Sequence, residues 1–145
     1  MKTIPVLISI NAAAHRDESG EEPMAMLTSG TLAIEPAQMI VDYEETLDES
    51  MPPQSVRLVV TDGCVTMIRG GDYETSMVFC KGQRFEGQYK TPFGSIALAV
   101  YCTRLHVELN KDGGVIAMSY QLDLNGQFAS MNDMELRLIS QDDDE

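Results

Sequence analysis

The sequence predicts an all-β protein: a single closed or nearly closed antiparallel meander β-barrel of about 8–10 strands. Three observations carry this. Apolar residues recur at every second position, as in Ile4, Val6, Ile8, Ile10 or in Ile116, Met118, Tyr120, Leu122, Leu124. That is the period of a strand with one buried face. Turn residues punctuate the runs at short intervals, as at Asp62-Gly63, Lys81-Gly82 and Asn125-Gly126. Asn-Gly and Asp-Gly suit hairpin turns whose central residues need positive φ. No window of helical length shows the i, i+3, i+4, i+7 stripe of an amphipathic helix. Local hairpins in series favour a meander, and closing it removes the exposed sheet edges.

The elements follow in order. Residues 4–14 alternate as a strand, with Pro5 marking an edge or entry position. Residues 15–23 (HRDESGEEP) are polar and read as a loop. Two strand-like runs, 24–34 and 38–46, are joined by Glu35-Pro36-Ala37-Gln38, where proline pre-sets the turn. Residues 47–53 (LDESMPP) form a second acidic loop. Then come 56–61 (VRLVVT), 64–69 (CVTMIR), 73–80 (YETSMVFC) and 83–90 (QRFEGQYK). The run 96–102 flows into 103–110, Lys111-Asp112-Gly113-Gly114 turns into 115–124, and Asn125-Gly126 turns into 127–139. Residues 1–140 are expected to form the barrel and 141–145 an acidic tail.

The chain has 145 residues, a formal net charge of −13 and a pI near 4.4. The length fits one domain. The acidity argues against nucleic-acid or anionic-membrane partners, which select for positive surface. No run approaches the ~18 apolar residues of a membrane helix, and no signal-peptide pattern is present, so a cytoplasmic setting is expected. Cys64, Cys80 and Cys102 are odd in number and widely spaced, and free thiols are expected. His15 and His106 do not sit at ligand spacing from any cysteine, so neither a metal site nor a cofactor is expected. The acidic residues concentrate in 17–22, in 42–49 and in the tail, where no Lys or Arg dilutes them.

The segment Tyr89-Lys90-Thr91-Pro92-Phe93-Gly94 is distinctive, as is the run from Asp112 to Leu138 (DGGVIAMSYQLDLNGQ…NDMELRL). With the opening VLISI and the hairpin SGTLAIE…QMIVDYEET, they resemble the YwiB-like family of small bacterial proteins. The resemblance spans about residues 4 to 139 and implies a calycin-like (lipocalin-related) barrel in a bacterial cytoplasm. It implies no ligand, reaction or catalytic residue.

Candidate binding residues come from the strands and one turn. Arg57, Arg69, Arg84 and Arg104 lie in strand-like runs and would grip a carboxylate or phosphate if they point inward. Pointing outward, they would pair with the abundant acids. Thr91 and Phe93 belong to a turn that would hold Phe93 at a barrel mouth, as a ligand contact or as a plug. Tyr89, Tyr101 and Tyr120 could orient a ligand through their hydroxyls or simply pack their rings. Met67, Met77, Met118 and Met134 would form either a compliant ligand lining or plain core. His106 is the one acid–base candidate, opposite an apolar face. Three functions are therefore open. The first is a module binding a small apolar or amphipathic ligand in the barrel mouth. The second is an interaction scaffold docking a basic partner on its acidic loops. The third is an enzyme at the mouth. A homo-oligomer is compatible with each.

Overall fold

The structure, a computed structural model, describes residues 2–15, 21–46, 50, 52–71 and 74–141. Ten strands follow one another: β1 (Lys2–His15), β2 (Glu21–Ile34), β3 (Met39–Glu45), β4 (Gln54–Thr61), β5 (Cys64–Arg69), β6 (Glu74–Cys80), β7 (Arg84–Thr91), β8 (Gly94–Asn110), β9 (Gly113–Leu124) and β10 (Gln127–Ser140). Each pairs antiparallel with its chain neighbours, and β1 pairs with β10, so the sheet closes into a barrel. Pro5 sits near the entry of β1, paired with Thr31 of β2, while the β10 ladder begins at Val6. Its carbonyl accepts from Gln141 N–H at 2.8 Å, so the missing N–H forgoes a single bond at the very end of the β10 ladder.

The alternation read from the sequence is the alternation of faces. Ile4, Val6, Ile8 and Ile10 are buried, as are Val56, Leu58 and Val60 on β4 and Met77 and Phe79 on β6. Together with Leu32, Val41, Ile116, Met118 and Leu136 they fill the mid-section of the barrel. Met67, Met77, Met118 and Met134 are part of this core. The Phe79 and Tyr120 rings meet edge to face at 4.8 Å, an arrangement that adds to plain burial.

Two irregularities explain where the sequence pattern shifts phase. On β8 the inward residues are Val100 and Cys102, then Leu105, Val107 and Leu109. A bulge between Cys102 and Arg104 absorbs the extra residue, as bulges do. One strand thus replaces the two consecutive runs seen in the sequence. The second bulge lies between Phe128 and Ser130.

The connections are tighter than expected. β1 continues to His15 and β2 starts at Glu21, so the expected loop over 15–23 shrinks to 16–20, outside the described residues. Residues 47–49 and 51 of the second acidic loop and the tail from 142 also lie outside them. The β9–β10 turn is as expected, with φ of 51° at Asn125 and 79° at Gly126. Gly113 and Gly114 belong to β9 rather than to the turn. A Cβ at Gly113 would run into the Leu138 carbonyl, and one at Gly114 into the Glu108 carbonyl. Both neighbouring backbones pass too close for a side chain.

The expectation of three free thiols is corrected. Cys64 and Cys80 face each other across β5 and β6 and form a disulfide, with Cα atoms 4.5 Å apart. Cys102 is free and buried. Burial raises its thiol pKa, and the Arg104 backbone and Lys81 oppose that shift. Alkylation of the denatured, unreduced protein should therefore label one cysteine, and after reduction all three, as counted by mass spectrometry. Three labels without reductant would overturn the bridge.

One seam is weak. β6 and β7 pair only at Glu74–Lys90 and Thr75–Tyr89. Lower down they are joined by Gln83 N–H to the Cys80 carbonyl (2.9 Å) and by exchange between Cys102 and the β6–β7 turn. Between these points the two strands part.

Candidate functional site

The antiparallel order sorts the connections to two ends. One end carries the β2–β3, β4–β5, β6–β7 and β8–β9 turns. The other carries the β1–β2, β3–β4, β5–β6, β7–β8 and β9–β10 connections. The two ends differ in chemistry.

At the first end the barrel opens as an apolar mouth of about 760 Å³. Ile34, Met39 and Val60 form its floor, continuous with the core. Leu105, Val107 and Leu109 of β8 form a wall. The wall exists because the β8 bulge turns these residues inward and because β8 runs well beyond the pairing of β7, which ends at Arg84–Tyr101. Glu35, Gln38, Asp62, Asn110 and Lys111 make a polar rim. A pocket of this size with an apolar lining and few polar groups is the common form of a small-molecule site.

The second end is polar inside. Glu45 closes β3, Gln54 opens β4, Arg69 closes β5 and Thr75 opens β6, and all four continue the inward phase of their strands. Glu45, Gln54 and Thr75 are buried, and Arg69 is about three-quarters buried with its side chain 24% exposed. Arg69 Nε lies 2.8 Å from Glu45 Oε1. The pair is poorly aligned, and neither atom completes a directed hydrogen bond. Tyr43 and Tyr120 project into the same region. Burial pushes both phenol pKa values up, and the Arg69 charge only partly offsets this, so both hydroxyls stay neutral. Thr75 Oγ1 is buried without a hydrogen-bond partner among the described residues.

Of the residues singled out in the sequence, Arg69, Tyr89 and Tyr120 are brought together at this polar end. The others are not. Arg57 points outward and grips Asp42 in a bidentate pair, at 2.7 and 3.0 Å. Arg84 is exposed between Glu86 and Asp123. Arg104 is exposed beside an outer-face groove bordered by Asp133 and Glu135. Thr91 organises its own turn, its Oγ1 donating to the Gly94 carbonyl and accepting from Phe93 N–H. Phe93, expected at a mouth or as a plug, is 91% exposed at the tip of that turn. Its backbone N–H is held by Thr91, and its ring stands in solvent because the two-residue turn carries it beyond the barrel wall. His106 is exposed, 3.2 Å from Glu108, on the outer face.

Sequence reasoning missed Glu45, Gln54 and Thr75. Glu45 reads as one acid of the stretch 42–49 at the end of the strand-like run 38–46, and on β3 it faces inward. The signal was available: each of these polar residues, like Arg69, extends an apolar alternation, Val41-Tyr43-Glu45, Gln54-Val56-Leu58, Val65-Met67-Arg69 and Thr75-Met77-Phe79.

A closed ten-stranded antiparallel barrel with a filled middle, an apolar mouth and a polar end defines the class: a small β-barrel protein. The chain belongs to the family described as "Domain of unknown function (DUF1934)", whose model matches residues 8–136. It is 20% identical over 132 residues to the "Uncharacterized beta-barrel protein YwiB" of Bacillus subtilis (strain 168), covering 91% of each chain. The crystal structure of that ywiB protein superposes with a TM-score of 0.86 at 18% identity, covering 97% of this chain and 94% of that one. The likeness shows a shared fold, as the sequence resemblance implied.

Proposed function

We propose that the protein binds a small apolar or amphipathic molecule in the apolar mouth. The observation that carries this is the Leu105-Val107-Leu109 wall, held inward by a bulge above a floor of Ile34, Met39 and Val60. An unfilled apolar lining of this extent gains free energy when a ligand displaces its water. The polar rim would keep an amphipathic ligand's head in solvent, with Lys111 beside it. The filled mid-section confines the ligand to the mouth rather than to the barrel centre.

Titration with the amphiphile 1-anilinonaphthalene-8-sulfonate tests the reading. A saturable rise in fluorescence is expected. Val107→Lys should weaken binding about tenfold or more, because an ammonium placed in the apolar wall must be desolvated or must block the mouth. Far-UV circular dichroism checks that the variant is folded. Unchanged affinity in the folded variant, or a signal that never saturates, would overturn it.

A further inference from the structure

We infer that the barrel carries a second site, a carboxylate pocket in the parted β6–β7 seam, built on Arg69 and Thr75. It lies at the end opposite the apolar mouth and rests on different residues. Below Glu74–Lys90 and Thr75–Tyr89 the two strands separate. The gap leaves a cavity of about 420 Å³ that reaches Arg69 and Thr75 from the side. Gly87 keeps it open: a Cβ there would press on the Phe85 ring at 2.9 Å. Phe85 forms an apolar wall, and Lys90 and Glu74 border the opening.

Two buried groups lack directed partners. Thr75 is 8% exposed, and its Oγ1 makes no hydrogen bond within the described residues. A buried hydroxyl in this state costs free energy that a ligand oxygen would recover. Arg69 offers a planar fork of donors, and its Nε, 2.8 Å from Glu45 Oε1, completes no directed hydrogen bond there. A carboxylate matches that fork in geometry. The charge balance selects the ligand. Arg69 and Lys90 are cationic, and Glu45 and Glu74 are anionic. The pocket therefore tolerates a monoanion and resists a phosphate dianion. The Phe85 wall favours a carboxylate on a short apolar or aromatic body.

Benzoate is the probe, followed by backbone-amide chemical-shift perturbation. Saturating shifts are expected at Thr75, Gly87 and Lys90. Thr75→Val keeps shape and removes the hydroxyl, and it should weaken binding about three- to tenfold. The double variant E45Q/R69M removes the fork without stranding a buried charge and should abolish saturable shifts. Inorganic phosphate at equal ionic strength should not displace benzoate. Val107→Lys should leave benzoate affinity unchanged, which separates this site from the apolar mouth. Shifts centred on the mouth, equal binding by E45Q/R69M, or displacement by phosphate would each overturn the proposal.

Discussion

Replacing Arg69 by leucine is expected to destabilise the barrel by about 3–5 kcal/mol, because it strands a buried carboxylate. The cost falls on Glu45, whose side chain is 5% exposed while Arg69 is 24% exposed. Within the described residues, no other Lys, Arg or His lies within salt-bridge distance of Glu45. The surroundings offer the neutral hydroxyls of Tyr43 and Tyr120 instead. Removing both charges is a different experiment. E45Q/R69M should unfold within about 1 kcal/mol of the parent, since a buried pair repays little more than its own desolvation. Urea unfolding with unchanged slope measures both. A loss under about 1 kcal/mol for Arg69→Leu would show that water reaches Glu45 after all.

The second large effect is expected at Gly114→Ala. Its φ is +140°, and a Cβ would collide with the Glu108 carbonyl. The conformation alone costs about 1–3 kcal/mol for a residue with a side chain. The obstacle is backbone, so it cannot swing aside, and the β8–β9 ladder must shift at Leu109–Gly114. A fall in melting temperature on the order of 10 °C is expected. Gly63→Ala is the control. Its φ is also positive, at +83°, but nothing lies within 4 Å of the added Cβ. It should cost only the conformational part, and equal losses in the two variants would discount the clash. Gly114 also pairs with Leu109 of the apolar wall, so Gly114→Ala should weaken amphiphile binding at the mouth as well.

Much of this architecture was legible in the residues. Asn125-Gly126 announced its own turn, and the change of phase between Cys102 and Leu105 announced a bulge that the sequence alone left as two runs. Arg57 could be assigned outward, since it alternates with Val56, Leu58 and Val60. Arg69 could equally have been assigned inward from Val65 and Met67. What period alone does not supply is register. Cys64 meets Cys80 only because the β5–β6 connection is centred midway between them. The site residues depend on register too: Glu45, Arg69 and Thr75 come from three strands and meet only after the strands are aligned. The parted seam between β6 and β7 had no local signature, because strand separation is a property of the closed ring and not of either segment.

The way the ring closes also governs how it can be made. β10 is the last strand in order and docks between β9 and β1, matching Ile8 with Leu138 and Ile10 with Leu136. The first strand therefore waits for the last, and the nine strands before it form an open ribbon with two unsatisfied margins. Contacts between segments so distant in the chain are slow to form. During synthesis such margins are exposed to neighbouring chains. Closure is thus a single late event, and the time spent before it sets the window in which the nascent protein is vulnerable.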